Sequence, residues 1–255
     1  MSPSPRPTPL VATAVRPGAP WPAVEVYDAL GSTNDEVRAR PRLWRVVAAE
    51  RQEQGRGRLG RSWTTTPGTS LAVSALVPVP PSGAAWVPLL AGLAVTRAVR
   101  DVAGLETTLK WPNDVIVPSD GDRKLAGLLC EWTPEGVVVG LGLNVATARE
   151  DLPVDTATSL HAAGAPDVDR ARLLTTFLVH LARVLREDTG PSGPAVAAYR
   201  SACRTVGSDV EVHAPDGAVR AGTATGVDDE GRLALRTPVG DELVSAGDVV
   251  HVRTR

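Results

Sequence analysis

The stretch of the chain with the most evident chemical capacity is a loop of alternating glycines and arginines, residues 50–63 (ERQEQGRGRLGRSW). Glycine lets the backbone adopt positive φ and approach a ligand closely. Arginine presents a planar set of donors that matches carboxylate and phosphate groups. This composition predicts a loop that wraps a small anion. Taken alone, the same stretch also fits a solvated basic hairpin or a nucleic-acid-binding arm.

Some residue types are rare in this chain, and the positions where they occur are further candidates. Lysine occurs only at positions 110 and 124, whereas arginine, alanine, glycine, proline and valine are abundant. Asparagine occurs only at 34, 113 and 144, and glutamine only at 52 and 54. Such a bias is typical of a GC-rich genome, which favours arginine over lysine. The remaining lysines and amides are therefore candidates for tasks that the common residues do not perform, with chance survival as the alternative.

Several of these residues stand at turns, where their side chains can reach a ligand. Ser32, Thr33 and Asn34 precede a short polar helix, and helix capping is the simpler explanation for at least one of them. Residues 110–114 (KWPND) form a turn between two apolar runs, because proline presets φ and Asn and Asp favour the bend. Gly127 interrupts an apolar strand, which often marks close approach of a ligand or of another backbone.

The elements that must position these residues are short strands and helices. Strands are predicted at 24–27, 44–49, 71–77, 124–132 and 137–143, with a tight turn at 133–136 between the last two. Helices are predicted at 35–40, 87–102, 170–187 and 196–204. The candidate polar residues thus stand mainly at strand ends and in the turns that follow them.

The composition excludes several classes of protein. The 27 Lys and Arg residues nearly balance the 29 Asp and Glu residues, whereas a general polyanion binder shows a basic excess. Two cysteines and four scattered histidines give neither a disulfide framework nor a zinc spacing, so no protein-bound metal is expected. The best apolar run, residues 84–95, is too short to cross a bilayer, and no signal-peptide pattern is present. We therefore expect a cytoplasmic protein that binds neither DNA nor membranes.

Changes in residue composition and pattern along the chain predict three parts. Residues 1–21 are rich in proline, which breaks any helical period, and predict a flexible leader without a helix-turn-helix. Residues 22–207 contain the candidate site and are long enough to form a sizeable core. Residues 208–255 contain short alternating strands punctuated by glycines, which predict a small β-barrel.

The motifs and their order resemble those of biotin–protein ligases, the enzymes that attach biotin to biotin-dependent carboxylases. The resemblance rests on five segments: Ser32 to Asn34, the loop 52–63 with GRGRLGR, KWPND at 110–114, KLAGLL at 124–129 with Glu131, and GLGLNV at 140–145. It covers residues 24–160 closely and the C-terminal part more loosely. Leu59 departs from the family pattern, since many members have a basic or polar residue there. Without a helix-turn-helix, the chain is similar to the non-repressor class.

The resemblance implies an α+β fold, with a mostly antiparallel sheet and flanking helices as in class II synthetases and biotin ligases, followed by a small SH3-like C-terminal barrel. It also implies a reaction in two steps. Biotin and ATP give biotinyl-5′-AMP and pyrophosphate, and a lysine of a biotin carboxyl carrier protein or domain then attacks the mixed anhydride. Because the first step joins two anions, the site must supply fixed positive charge. Mg²⁺ would arrive with ATP and need few protein ligands. A monomer or weak homodimer is expected.

The same resemblance assigns roles to residues by their position in the motifs. The candidates for binding biotin are Ser32, Thr33, Asn34, Gln52, Gly55, Arg56, Gly57, Arg58, Lys124 and Gly127. The candidates for binding ATP and the adenylate are Arg56, Arg58, Arg61, Trp63, Lys110, Asn113, Asp114, Lys124 and Asn144. The catalytic candidates are Lys124, Arg58, Lys110 and Asp114. Lys124 would bridge the carboxylate and the α-phosphate, and Asp114 would accept the proton of the incoming lysine.

Two other functions stay open at this point. One is a related ligase or transferase for lipoate or octanoate, which the pairing of GRGRLGR with KWPND disfavours. The other is a non-enzymatic nucleic-acid binder, which the net charge of −2 and the aromatic content of 4% disfavour. The loop charges add one more expectation: Arg56, Arg58 and Arg61 should repel one another unless an anion lies between them.

Overall fold

The fold is built on a seven-stranded mixed sheet. The structure, a computed structural model, describes residues 9–64, 66–214 and 217–251. The strands are β1 (Glu25–Leu30), β2 (Val46–Gln52), β3 (Ser70–Val77), β4 (Thr108–Lys110), β5 (Asp114–Val117), β6 (Arg123–Thr133) and β7 (Gly136–Asn144). Their order in the sheet is β1-β2-β3-β7-β6-β5-β4. The β1–β2 pair is parallel and the other pairs are antiparallel, which confirms the mostly antiparallel α+β prediction.

The two faces of this sheet differ because side chains alternate along each strand. On β7, Val137, Val139, Leu141 and Leu143 belong to the main hydrophobic core. The residues between them on the opposite face include Gly140 and Gly142. One face is therefore built to pack against helices, and the other leaves open space along its centre.

Helices cover the apolar face. They are α2 (Val87–Ala103), α3 (Arg170–Glu187) and α4 (Pro194–Ala202). The carboxylate of Asp169 caps α3 by accepting the backbone N–H groups of Ala171 and Arg172 at 2.8 and 3.2 Å. These three helices confirm the predictions at 87–102, 170–187 and 196–204 to within two residues at each end.

The other face is covered at one end by the short helix α1 (Thr33–Ala39), whose Val37 packs with Val47, Leu76 and Val138 in a small cluster. This helix begins two residues before the predicted start at 35, so that Thr33 and Asn34 lie within its first turn. The rest of this face remains available for the candidate site.

Residues 9–21 pack against the core, in contrast to the flexible leader predicted for residues 1–21. Leu10, Val15 and Trp21 are buried. The Trp21 ring meets the Trp44 ring edge to face at a centroid distance of 5.0 Å, and its indole N–H donates to the Leu178 carbonyl at 2.8 Å. Proline prevents a long helix here, but the apolar residues between the prolines still find partners in the core. Residues 1–8 of the predicted leader lie outside the described residues.

A buried ion pair joins this segment to β2 and α3. The Arg170 guanidinium donates to both carboxylate oxygens of Glu50, at 2.9 and 3.0 Å, and to the Ser70 carbonyl at 3.0 Å. Glu50 also accepts the backbone N–H groups of Leu10 and Gly68. Burial by itself raises the pKa of Glu50, but the hydrogen bonds and the charge of Arg170 outweigh burial, so its pKa is lowered. One carboxylate thus ties together four parts of the chain.

The C-terminal part forms a second, antiparallel sheet. Its strands are β8 (Asp209–His213), β9 (Val219–Val227), β10 (Leu233–Thr237), β11 (Gly240–Val244) and β12 (Asp248–His251), in the order β11-β10-β9-β8-β12. Because β11 and β12 are its two edges, the sheet is open over the described residues. The short alternating strands predicted for this part of the chain are present, and residues 252–255 lie outside the described residues.

The two sheets share one core and are joined by hydrogen bonds. The buried side chains of β8 and β10 belong to the same hydrophobic cluster as those of the large sheet. The indole N–H groups of Trp86 and Trp111 donate to the carbonyls of Asp229 and Gly231, at 2.8 and 3.0 Å. The division of the chain near residue 207 stays a prediction. Within the described residues, no helix is long and apolar enough to cross a membrane.

Candidate active site

Two glycines on neighbouring strands form a flat surface on the open face of the large sheet. Gly127 on β6 and Gly142 on β7 are direct partners in the strand register. A Cβ atom at Gly142 would lie 2.2 Å from Cε2 of Trp63, and one at Gly127 would lie 3.4 Å from Cζ3 of the same ring and 2.9 Å from Lys124 Nζ. The Trp63 indole therefore lies directly on the sheet backbone, which only glycine at position 142 allows, while Gly127 leaves room for the end of the Lys124 side chain.

The glycine–arginine loop folds back on itself beside this surface. The backbone N–H of Trp63 donates to the Gly55 carbonyl at 2.8 Å, and the backbone N–H of Gly57 donates to the Arg61 carbonyl at 2.6 Å. Leu59 and Gly60 form the tip of the loop with φ of 55° and 73°. A Cβ at Gly55 would lie 2.3 Å from the Trp63 carbonyl oxygen, so glycine is required for the closure.

Each arginine of the loop has a partner of its own. Arg56 donates to both oxygens of Asp35, at 2.8 and 2.6 Å, and Arg58 donates to Asn113 Oδ1 at 3.0 Å. Arg61 forms an ion pair with Asp248 of β12. Acidic and amide side chains from distant segments thus offset the expected repulsion in part, although, in addition to burial, the charge of Arg61 still lowers the pKa of Arg58.

The two lysines converge on one carboxylate. Lys124 Nζ lies 2.7 Å from Asp114 Oδ1 and 5.8 Å from the centroid of the Trp63 ring. Lys110 is the register partner of Asp114 in the β4–β5 hairpin. Burial lowers the pKa of the Lys110 ammonium, although the Asp114 carboxylate opposes that shift.

Arg58 lies in the same electrostatic environment. Burial lowers the pKa of its guanidinium, while the nearby carboxylates of Asp248 and Asp114 act in the opposite direction. The structure thus brings together four cationic candidates around two carboxylates: Arg58, Arg61, Lys110 and Lys124 around Asp114 and Asp248. Such an arrangement binds anions and screens repulsion between them.

The KWPND turn is held from both sides. The Asn113 side-chain amide donates to the Leu128 carbonyl at 2.8 Å, while its oxygen accepts from Arg58. The backbone N–H of Trp111 donates to Thr205 Oγ1 at 3.0 Å, next to the start of the second sheet. The large sheet and the segment that leads into the second sheet therefore both fix the position of the turn that carries Lys110 and Asp114.

The polar residues at the start of α1 lie at the other end of the open face. The Thr33 N–H and hydroxyl both lie within hydrogen-bond distance of Gln52 Oε1, at 2.9 and 3.0 Å. Ser32 occupies the N-cap position of α1, but its side chain makes no capping hydrogen bond. Capping therefore does not explain Ser32, and its buried hydroxyl remains a candidate for contact with a ligand.

Asn34 differs from its neighbours because protein groups already use its amide. Its Nδ2 donates to the Leu129 carbonyl at 3.2 Å and to Glu131 Oε2 at 2.5 Å, and its Oδ1 lies 2.6 Å from Ser74 Oγ. With both amide hydrogens committed, Asn34 is placed to position its neighbours. Ser74 was missed as a candidate, although a serine inside the apolar strand LAVSALV is a signal of a buried polar contact.

Asn144 is tied to Lys124 by a strap of main chain at residues 156–160. The Asn144 amide donates to the Thr158 carbonyl at 2.9 Å. The Thr158 N–H donates to the Lys124 carbonyl, and the Lys124 N–H to the Thr156 carbonyl, both at 2.8 Å. Two candidate residues from different strands are thus fixed by the same segment.

Comparisons with known proteins agree with this geometry. Residues 33–145 match the family described as the biotin/lipoate A/B protein ligase family, and residues 205–252 match the biotin protein ligase C-terminal domain. A biotin–[acetyl-CoA-carboxylase] ligase of Mycobacterium tuberculosis is 40% identical over 249 residues, which cover 92% of this chain and 91% of that protein. One from Paracoccus denitrificans is 30% identical, over 80% of this chain and 88% of that protein.

A similar solved structure is that of a biotin protein ligase from Aquifex aeolicus in complex with biotin and ATP. Its TM-score is 0.77 at 25% sequence identity, and the match covers 91% of this chain and 99% of that one. The likeness includes both sheets, since it extends over nearly the whole chain.

Proposed function

The chain belongs to the biotin–protein ligase family, and from this premise we propose that it activates biotin with ATP and transfers it to a carboxylase. The observation that carries the proposal is the convergence of Arg58, Lys110 and Lys124 on Asp114, beside the glycine surface. Activation joins a carboxylate to a phosphate, so fixed cations lower its barrier by screening the charge that accumulates.

The first step is attack of the biotin carboxylate on the α-phosphorus of ATP, which releases pyrophosphate. Lys124 is the candidate to hold the two anions together, since its ammonium faces the site at the start of β6. A phosphate that enters here competes with Asp114 for that ammonium. Arg58 and Lys110 neutralise the remaining charge, which their burial makes more effective.

Biotin is expected at the end of the face where Ser32, Thr33 and Gln52 meet, with Gly55 to Arg58 folded over it as backbone donors and arginines. The nucleotide is expected toward Asn113, Asp114 and Asn144. Since Trp63 lies over Gly127 and Gly142, any ligand on this surface must contact or displace the indole. Contact with adenine is the role we propose for this ring.

The second step is attack of a carrier lysine on the mixed anhydride, which releases AMP. The attacking amine must lose a proton, and Asp114 is the carboxylate placed to accept it. We propose a biotin carboxyl carrier protein or domain as the acceptor. Mg²⁺ would enter with the ATP phosphates, which supply most of its ligands. A cytoplasmic location fits the need for ATP and the two free cysteines.

The decisive experiment is isotope exchange between pyrophosphate and ATP on the purified protein. We expect exchange that depends on biotin and is not supported by lipoate or octanoate. Exchange with lipoate alone would replace the proposal by a lipoate ligase, and no exchange with any of the three acids would contradict it. Transfer is then followed by the added mass of one biotinyl group on a purified carrier domain.

We expect Asp248→Asn to weaken the use of ATP and to leave biotin binding intact. Asp248 forms an ion pair with Arg61 near the end of the loop. This ion pair is partly exposed, since 69% of the Arg61 side chain is accessible. Loss of such a pair costs up to about 1 kcal/mol, so the KM for ATP should rise about fivefold. Steady-state exchange and biotin calorimetry measure the two effects.

Asp241→Asn is the matched control for this experiment. Asp241 forms an exposed ion pair with Arg236 on the same sheet, 3.3 Å between the charged atoms, away from the loop. Its replacement should change neither constant by more than about twofold. Equal behaviour of the two variants would exclude a role for Asp248 in holding the loop.

A further inference from the structure

Four oxygen atoms form a continuous row behind the open face of the sheet: Gln52 Oε1, Thr33 Oγ1, Ser74 Oγ and Asn34 Oδ1. Successive distances along the row are 3.0, 2.7 and 2.6 Å. At such distances two oxygens need a proton between them to attract each other. Only the hydroxyls of Thr33 and Ser74 carry protons, so three contacts share two protons.

The amide of Asn34 determines where the Ser74 proton points. Asn34 Nδ2 faces the Leu129 carbonyl and the Glu131 carboxylate, neither of which can donate. The amide oxygen must therefore face Ser74, and the Ser74 hydroxyl must donate to it. Gly140 makes this arrangement possible, because a Cβ there would lie 2.3 Å from Asn34 Oδ1.

The Thr33 hydroxyl then has two neighbours and one proton. Ser74 has used its own proton, so its oxygen can only accept from Thr33. Of the two contacts, the one between Thr33 Oγ1 and Ser74 Oγ is the shorter, 2.7 Å against 3.0 Å for Gln52 Oε1, so we assign the Thr33 proton to it. The Thr33 oxygen then faces Gln52 Oε1 with no proton between them. The Gln52 oxygen stays in place because it also accepts the Thr33 backbone N–H at 2.9 Å. This end of the row therefore lacks one donor.

We propose that Ser74 is a positioning residue that makes the Thr33 hydroxyl a hydrogen-bond acceptor and thereby selects a ligand with an N–H group, such as a ureido ring. The row donates in one direction, from Thr33 to Ser74 to Asn34, and ends on the Glu131 carboxylate. Each bond in such a chain polarises the next, and the terminal anion fixes its direction. Ser74 itself is fully buried and acts through Thr33. The inference rests on the proposed function and refines its choice of substrate.

The test compares Ser74→Ala with Ser70→Ala, a matched control. Ser70 lies on the same strand and the same face, is similarly buried, and has its hydroxyl 3.5 Å from the Thr66 carbonyl, outside the row. Without the Ser74 hydroxyl, the Asn34 amide oxygen loses the hydrogen bond that Ser74 donates to it. The Thr33 hydroxyl then donates to Gln52 Oε1 instead of to Ser74. We expect the Kd for biotin to rise about tenfold or more in Ser74→Ala and less than about twofold in Ser70→Ala. The KM for ATP at saturating biotin should be unchanged in both.

A second measurement separates hydrogen-bond selection from a merely structural effect. Two cyclic carbamate analogues of biotin each replace one ureido N–H by oxygen. The wild-type protein should bind at least one of them about tenfold or more weaker than biotin, and this preference should fall below about threefold in Ser74→Ala. An unchanged preference, equal biotin binding by the two alanine variants, or parallel losses for biotin and ATP would each overturn the inference. Failure of the wild-type protein to bind biotin would instead refute the proposed function.

Discussion

Replacement of Lys124 by arginine should lower the rate of biotinyl-adenylate formation by about a hundredfold or more, while the fold and the net charge stay the same. The Lys124 ammonium lies 2.7 Å from Asp114, and its Nζ is 2.9 Å from the place a Cβ at Gly127 would occupy. A guanidinium is wider, planar and differently hydrated. It would hold two anions apart that must approach to bonding distance, and an error of about 1 Å costs on the order of a hundredfold.

Single-turnover formation of the adenylate by the folded variant measures this effect without interference from product release. Arg123→Lys is the neighbouring control, since Arg123 begins the same strand and pairs with Asp120 at 3.1 Å outside the cationic cluster. Its rate should match wild type within about twofold. A rate for Lys124→Arg within about threefold of wild type would mean that any cation at position 124 suffices, since a tenfold change corresponds to about 1.4 kcal/mol of barrier.

The second large effect is on stability: Arg170→Met should lower the free energy of unfolding at pH 7 by about 3–5 kcal/mol. The variant leaves the Glu50 carboxylate buried with two backbone donors and, among the described residues, no counter-charge. Urea unfolding of both proteins measures the difference. Arg172→Met is the control on the same helix, because Arg172 is exposed, and its effect should stay within about 0.5 kcal/mol.

The pH dependence of this difference gives an independent check. In the wild-type protein the pKa of Glu50 is lowered, so its contribution to stability is present at neutral pH and is lost as the pH falls through that lowered pKa. In the variant, Arg170 no longer opposes the effect of burial on the pKa of Glu50, so Glu50 takes up a proton at a higher pH. The gap between the two proteins should therefore narrow on acidification. A gap that stays constant from neutral to acidic pH would show that Arg170 acts through packing alone.

The sequence predicted the main helices and strands, because these depend on local patterns. The apolar periodicity of residues 170–187 matches α3 residue for residue, and the hairpin at 133–136 lies where turn residues interrupt two apolar runs. The motif residues could be assigned one by one because each lies in a short, recognisable segment. Their roles in binding and catalysis stay proposals.

The sequence did not predict the partners that these residues have across the fold. Asp35 and Asp248 hold two of the loop arginines, and Ser74 lies behind Thr33, yet none of the three belongs to a motif. Their roles depend on which strands and helices pack together. Residue patterns within one segment do not encode that packing. Burial of residues 9–21 has the same origin, since it depends on a surface that α3 and β2 provide.

The partners of the loop arginines have a consequence for turnover. Under the proposed function, a phosphate that binds Arg56 or Arg58 would replace the Asp35 carboxylate or the Asn113 amide that already occupies that guanidinium. When a product leaves, the same protein group takes the arginine back. Such an exchange would give each of these arginines a hydrogen-bond partner both before and after the ligand binds. An enzyme that makes pyrophosphate in one step and AMP in the next must release an anion twice per cycle, and under this proposal the same exchange would serve both releases.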